Sequence, residues 1–159
     1  MSLIPIPRWQ KLSSDASYYH RSGLSARGIA PMKEAIDLLR QEPRLVDQLA
    51  VKLNYLAHIL RAVGQLTEAE AAVLEAMQIE QGCGRPASDS NLMTLAMILH
   101  QQGRCDEAVR LGKQALALKG KYIDRRSEYY RQSKKMVASF KKPPVPKPAP
   151  PEPAGRGAA

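Results

Sequence analysis

The stretch GQLTEAEAAVLEAM, residues 64–77, returns in altered form as GRCDEAVRLGKQAL at residues 103–116, 39 positions later. The similarity extends upstream, where LNYLAHILRAV (53–63) matches LMTLAMILHQQ (92–102). Identical residues in the two copies fall, in the numbering of the first, at Leu53, Leu56, Ala57, Ile59, Leu60, Gly64, Glu68, Ala69 and Ala76. An internal repeat of this length predicts an array of similar structural units.

Each copy reads as two helices joined by a short turn. In the first helix of the first copy, apolar residues recur at i, i+3, i+4 and i+7, which is one face of an α-helix, at Leu53, Leu56, Ala57 and Leu60. Gly64 and Gly103 then end the first helices, because glycine best tolerates a left-handed turn.

The second helices begin with polar residues that favour helix starts. Thr67 and Asp106 are predicted N-caps, and Glu70 completes a capping-box pattern with Thr67. The small side chains of Ala69 and Ala76 let the two helices approach closely. A single hairpin cannot bury its apolar face alone, so we expect each copy to shield the next.

The spacing of these positions resembles the tetratricopeptide repeat (TPR). The residues that carry the resemblance are Leu56-Ala57, Leu60, Gly64, Leu66, Ala69, Val73 and Ala76, repeated as Leu95-Ala96, Leu99, Gly103, Cys105, Ala108, Gly112 and Ala115. The period is longer than is usual for this family, and the extra residues fall in EQGCGRPASDS (80–90), similar to the longer turn of kinesin-light-chain-like TPR units. The resemblance implies an all-α helical-hairpin solenoid that binds proteins and is not an enzyme.

The chain divides into four segments. These are an N-terminal extension (1–10), TPR-like repeats (11–118, with a degenerate unit at 11–42 and clear units at 45–80 and 88–118), a basic amphipathic capping helix (119–142) and a disordered proline-rich tail (143–159). In the degenerate unit, we align Met32 with Leu66 and Ala35 with Ala69; the alternative is an irregular N-terminal cap. The capping helix would cover the last unit of the array.

The net charge of +9 is concentrated in one segment. Residues 1–118 hold 13 basic and 12 acidic side chains, whereas residues 119–142 hold 9 basic and 2 acidic ones. A basic patch of Arg125, Arg126, Arg131, Lys134 and Lys135 could bind nucleic acid or an anionic membrane, with Tyr129 and Tyr130 stacking on bases. The alternative is a solvated helix face whose tyrosines pack on the repeats.

Several classes of protein are disfavoured by the sequence. There is no P-loop, no G-x-S-x-G or HExxH motif, and no metal-ligand spacing, so we expect no catalytic residue, cofactor or metal. Two cysteines without CxxC spacing favour a reducing compartment. No signal peptide or membrane span is recognisable, which predicts a cytoplasmic protein.

The resemblance also implies where a partner binds, because TPR first helices line a concave groove. The corresponding positions are Val51, Asn54, His58 and Arg61 in one unit and Ser90, Met93, Met97 and His100 in the next. The degenerate unit would add His20, Leu24 and Arg27. The alternative is that His58 and Met97 are ordinary packing or solvent-facing residues.

This set of side chains favours a peptide or helix with an acidic group followed by apolar residues. Arg61 can hold a carboxylate through two hydrogen bonds, and Met93 and Met97 offer an adaptable apolar surface. The predicted function is therefore an adaptor or assembly subunit that forms a homo-oligomer or a larger complex. The tail sequence KPAPPEP, Lys147–Pro153, also fits a P-x-x-P ligand, although a plain linker is the simpler interpretation.

Overall fold

A computed structural model describes residues 5–146 and shows seven α-helices and no strand among them. The helices are α1 (Arg8–Arg21), α2 (Ser25–Arg40), α3 (Val46–Ala62), α4 (Leu66–Gly82), α5 (Asp89–Gln101), α6 (Cys105–Lys119) and α7 (Glu128–Ser139). A 3-10 turn, Pro43–Leu45, precedes α3. The all-α prediction is confirmed.

The helices pair in chain order into three stacked hairpins. α1 packs on α2, α3 on α4 and α5 on α6, while α2, α4 and α6 each contact the first helix that follows. The buried leucine, isoleucine and alanine side chains of all three hairpins form one continuous cluster. The result is the repeat solenoid that the sequence predicted, with each hairpin covering its neighbour.

Three glycines fix the register between hairpins. Gly23, Gly64 and Gly103 sit in the turns with φ of +77°, +84° and +83°, a left-handed conformation that L side chains rarely adopt. Because the three occupy the same turn, they define which residues of the hairpins are equivalent. The first hairpin is therefore aligned with Gly23 on Gly64, and the alignment of Met32 with Leu66 predicted from the sequence is wrong.

The corrected register gives Gly28 a packing role. Gly28 falls at the position of Ala69 and Ala108, and a Cβ there would lie 2.9 Å from the carbonyl oxygen of Ala16. Ala16 itself is fully buried at the position of Ala57. Gly28 thus brings α1 and α2 close together, whereas the sequence analysis had placed the matching contact at Ala35.

The predicted caps of α4 and α6 are also wrong. Thr67 and Asp106 lie inside the first turns, since α4 begins at Leu66 and α6 at Cys105, and the residues before them make no side-chain cap. Glu70 accepts hydrogen bonds from Arg104 and Gln102 instead of closing a capping box.

Helix α7 is shorter than the helix predicted at 119–142, because residues 120–127 form turns and only Glu128–Ser139 is helical. At the other end, α1 begins at Arg8, inside the stretch assigned to the N-terminal extension. The proline-rich tail from residue 147 onward, including KPAPPEP, lies outside the described residues.

Helix α7 takes the place of the first helix of a fourth hairpin. Its N-cap, Ser127, stands one repeat period after Ser88, the N-cap of α5, and both hydroxyls accept a hydrogen bond from the backbone three positions on. Val137 then packs against Gly112 of α6, where an added Cβ would lie 2.8 Å from its Cγ2. The period of the repeat therefore continues for half a unit and stops.

Candidate functional site

The first helices present a shared surface that we call the first-helix face. It carries the six residues predicted to line a groove, of which Met93 is buried and the other five are half-buried: Asn54, His58, Arg61, Met93, Met97 and His100. Three of these residues lie on α3 and three on α5, and the two helices are neighbours in the stack. How many of them remain free to meet a partner depends on their bonds inside the chain.

Asn54 is used to join α3 to α5. Its amide nitrogen donates to Asn91 Oδ1 at 2.6 Å and to Thr94 Oγ1 at 3.0 Å. Asn91 and Thr94 are 3% and 1% exposed, so each of these buried polar groups needs a partner inside the protein. Asn54 therefore serves the stacking of the hairpins.

His58 lies beside the same cluster. Its Nε2 is 3.0 Å from Thr94 Oγ1. Burial, and then the nearby charges of Arg61 and His20, lower the pKa of His58 to about 4. The imidazole is neutral at physiological pH.

Arg61 is the residue of this face with unused bonding capacity. Its Nη1 donates to Gln101 Oε1 at 3.1 Å, while its buried Nε has no hydrogen-bond partner. Within residues 5–146 no ion pair neutralises the guanidinium, and burial lowers its pKa. A half-buried positive charge without a carboxylate partner in residues 5–146 is suited to an anionic group from outside the described chain.

His20 extends this cationic region to the first hairpin. Its Nδ1 is 3.0 Å from Ser25 Oγ, its ring packs edge-on against Tyr55, and burial followed by the charge of Arg61 lowers its pKa. Leu24 and Arg27 do not belong to this face, because Leu24 precedes α2 and Arg27 lies in its first turn. They had been included through the incorrect alignment of the first unit.

A pocket of about 200 Å³ opens next to His58, where α7 closes the end of the first-helix face. Three methionines from α5 and α7 form its apolar part, Met93, Met97 and Met136. Lys119, Tyr129 and Ser133 also line the pocket. The predicted methionine patch is thus the wall of a pocket that α7 completes.

The far end of the face is covered by the segment after α7. His100 Nε2 lies 2.7 Å from the carbonyl oxygen of Lys142, and its ring centroid is 5.0 Å from that of Phe140. His100 is therefore engaged by the C-terminal segment.

Sequence reasoning missed a buried polar cluster around Lys119. The ammonium group donates to Tyr129 Oη at 3.2 Å and to Ser133 Oγ at 3.4 Å, and lies 3.8 Å from Asp89 Oδ2. The signal was present, because Lys119 follows Ala108, Gly112 and Ala115 on one buried line of α6. This cluster ties α5, α6 and α7 together.

The five residues of the predicted basic patch are all exposed: Arg125, Arg126, Arg131, Lys134 and Lys135. Arg131 forms an ion pair with Glu128 at 3.0 Å. The two tyrosines are engaged elsewhere, since the Tyr129 ring lies 4.4 Å from the Lys119 ammonium and the Tyr130 hydroxyl donates to the Leu116 carbonyl. Tyr129 is nevertheless exposed, whereas Tyr130 is half-buried.

Residues 5–146 contain neither a cluster of metal-binding side chains nor a helix suited to span a membrane. No group of three or more His, Cys, Asp or Glu side chains could hold a metal ion in this part of the chain. None of its helices is both long enough and apolar enough to cross a lipid bilayer. Cys83 and Cys105 are free thiols.

Comparison with known proteins identifies the repeats. A family model described as Tetratricopeptide repeat matches residues 48–121. No curated protein sequence matches the chain.

Solved structures share the fold. Two from Podosopora anserina, described as a kinesin light chain with nearly identical TPR-like repeats and a variant of it, align with TM-scores of 0.73 and 0.72 at 19% identity. The alignments cover 84% of this chain, which spans 65% of the length of those chains. Tetratricopeptide repeats are generally protein–protein interaction modules. Residues 48–121 therefore match the tetratricopeptide-repeat model, and the chain shares the fold of the kinesin-light-chain-like TPR structures.

Proposed function

We propose that the protein is a non-enzymatic adaptor or assembly subunit whose first-helix face binds a peptide or helix of a partner protein. The observation that carries this proposal is Arg61, a half-buried guanidinium without a carboxylate partner in residues 5–146. A charged group buried without an opposite charge is costly, and a partner carboxylate would offset that cost. The partner is expected to supply an Asp or Glu side chain at this point.

The surroundings of Arg61 favour a carboxylate over other anions of higher charge. His20 and His58 flank it with lowered pKa values, so both imidazoles are neutral at pH 7 and the region carries a single positive charge. One carboxylate balances one guanidinium, and the planar fork of arginine matches the two oxygens of that group.

The neighbouring pocket defines the second feature of the partner. Met93 and Met97 line it together with Met136, and methionine adapts its shape to apolar side chains of different form. At about 200 Å³ the pocket has room for one side chain rather than a large ligand. The preferred ligand is therefore a segment with an acidic residue and a nearby apolar residue.

A peptide-display selection would test this function. Random peptides selected against the wild-type protein should be enriched in an acidic residue at a fixed distance from an apolar one. Substitution Arg61→Gln should weaken binding of these peptides roughly 10- to 100-fold, because a charge-assisted hydrogen bond pair is removed. Isothermal titration with synthetic peptides measures the effect.

The matched control is Arg27→Gln, which removes the same charge from an exposed position on α2. Its peptide affinity should equal that of the wild type. Selected peptides that bind Arg61→Gln as tightly as wild type, or the absence of any enrichment, would contradict the proposal.

The proposed complex contains more than this chain. The three hairpins of the described residues provide a short binding surface. We therefore propose that another subunit, or a second copy of the chain, extends the surface. Light scattering measures the molar mass of the protein with and without selected peptide. The mass of a dimer would indicate a second copy of the chain, and the mass of a monomer would indicate that a different subunit extends the surface.

A further inference from the structure

The charged side of α7 occupies the positions at which the first helices of the three hairpins pack against their second helices. In the first hairpin, Ala16 lies so close to α2 that a Cβ on Gly28 would be 2.9 Å from its carbonyl oxygen. Ala57 and Ala96 are the equivalent residues of α3 and α5, and both are fully buried. In α7 this position is Lys135, one repeat period after Ala96, and it is exposed.

Two further positions near Lys135 are also apolar and buried in α5 but basic and exposed in α7. Leu92 and Leu95, which are 7% and 6% exposed, correspond to Arg131 and Lys134 of α7. Two long cationic side chains flank Lys135, so a second helix cannot approach at the distance seen in the other hairpins. This excludes a fourth hairpin and also an apolar partner helix in its place.

We call this side of α7, continued into the residues after it, the basic face: Arg131, Lys134, Lys135, Lys141 and Lys142, all exposed. The first three stand at i, i+3 and i+4, which places them on one side of the helix, and the other two follow directly after its end. Glu128 is paired with Arg131, and Arg125 and Arg126 extend the positive charge beyond the N-terminus of α7.

The basic face lacks features that two kinds of anionic partner, a membrane surface and single-stranded nucleic acid, require. Membrane-surface helices insert an apolar side into the bilayer, but the apolar side of α7 is buried against the repeats through Val137 and Phe140. Proteins that bind single-stranded nucleic acid stack bases on aromatic rings, whereas Tyr129 and Tyr130 are held by Lys119 and Leu116. The basic face itself consists of lysine and arginine side chains alone, and no aromatic residue belongs to it.

We propose that the basic face binds the phosphate backbone of a nucleic-acid duplex without reading its sequence. Clustered Lys and Arg side chains neutralise phosphates and release counterions, which supplies affinity without base contacts. The basic face shares no residue with the first-helix face, so the proposal does not depend on the peptide-binding function.

Fluorescence anisotropy with a short labelled DNA duplex of mixed sequence tests this proposal. Wild-type binding should weaken steeply between about 50 and 200 mM salt. The plot of the logarithm of the association constant against the logarithm of the salt concentration has a negative slope. The triple variant Arg131→Gln, Lys134→Gln, Lys135→Gln should make this slope less negative by about 2.7, because each lost phosphate contact removes roughly 0.9.

The control carries the same charge change on the first hairpin and the turn after it: Lys11→Gln, Arg27→Gln, Arg44→Gln, all exposed in the folded chain. Circular dichroism confirms that both triple variants are folded. A control that retains the wild-type slope supports the proposal. Equal loss in both variants would overturn it, because net charge alone would then explain binding.

A second probe separates duplex from membrane. Vesicles rich in phosphatidylserine should bind more weakly than the duplex at the same salt concentration. Binding to vesicles in preference to the duplex, binding to single strands in preference to the duplex, or no duplex binding at low salt would each overturn the proposal.

Discussion

At the scale of single residues, His58 is the clearest case of a side chain whose pKa is changed by its surroundings. It is half-buried between the hairpins, with its Nε2 3.0 Å from Thr94 Oγ1. Burial and the charge of Arg61 hold its pKa at about 4. The folded protein therefore resists protonation of this imidazole.

This resistance predicts a pH-dependent stability. The folded pKa of His58 is lower than the value of about 6.5 in the unfolded chain, so the unfolded state binds the proton first. Stability is unaffected above pH 6.5 and decreases as the pH falls towards 4, by about 3 kcal/mol from this residue. Urea unfolding of wild type and His58→Gln between these pH values measures the difference.

The surface carboxylates titrate in both proteins, so subtracting the two curves isolates His58. The free energy of unfolding of the wild type should fall more steeply than that of His58→Gln. Parallel curves would show that the imidazole is not desolvated in the folded state.

Single residues also show which parts of the site could be predicted from sequence. The spacing of Asn54, His58 and Arg61 placed them correctly on α3, because helical periodicity is a local property. Their partners could not be predicted, since the bonds to Asn91, Thr94 and Gln101 join residues 36 to 40 positions apart. Asn54 was expected to bind a ligand and instead bonds to α5.

At the scale of helices and turns, the starts of α5 and α7 differ from the other helix starts. Ser88 and Ser127 accept hydrogen bonds from the backbone nitrogens of Asn91 and Tyr130. α4 and α6 follow directly after the glycine turns and begin without a side-chain cap. The N-cap position of α4, between Gly64 and Leu66, is Gln65, and its side chain accepts no hydrogen bond from the first turn.

This difference predicts unequal effects of two similar substitutions. Ser88→Ala should lower the free energy of unfolding by roughly 1 kcal/mol, because a backbone donor loses its partner. Thr67→Ala should change it by less than about 0.5 kcal/mol, since Thr67 is an exposed residue of the first turn. Chemical denaturation of the two variants provides the comparison. Equal losses would mean that the threonine caps α4 after all.

The first hairpin shows why its register was harder to predict than its existence. The apolar pattern of PMKEAIDLLRQ (31–41) predicted a helix, and α2 indeed spans Ser25–Arg40. The alignment failed because it used the family's usual repeat length. The loop before α3 makes the first unit longer than that, so Gly23 and Gly64 are 41 positions apart. Aligning Gly23 with Gly64 would have found it, since both require a left-handed turn.

At the scale of the whole molecule, stability is distributed unevenly along the solenoid. The central hairpin is covered on both sides, by α2 and by α5. α7 packs mainly on α6, is linked to α5 through the Lys119 cluster, and has few buried side chains. In a repeat array, an element with one neighbour opens at lower free energy than an element with two.

We therefore expect α7 to open locally before the hairpins unfold. Phe140 is 3% exposed, stacks beside His100 and lies near Gly112, so it holds the end of the helix. The substitution Phe140→Ala should remove about 3 kcal/mol or less from this contact, which corresponds to at most roughly a 100-fold increase in the open population. Trypsin should then cleave faster after Arg131, Lys134 and Lys135.

The matched variant is Val73→Ala, which truncates a fully buried side chain of the central hairpin. It should lower the thermal midpoint of the whole protein, because the hairpins share one core, and leave the relative rate of α7 cleavage unchanged. Phe140→Ala should do the reverse, with faster cleavage and a nearly unchanged midpoint. If Phe140→Ala lowered the midpoint as much as Val73→Ala, α7 would be part of the cooperative core, because its opening would then require the hairpins to unfold with it.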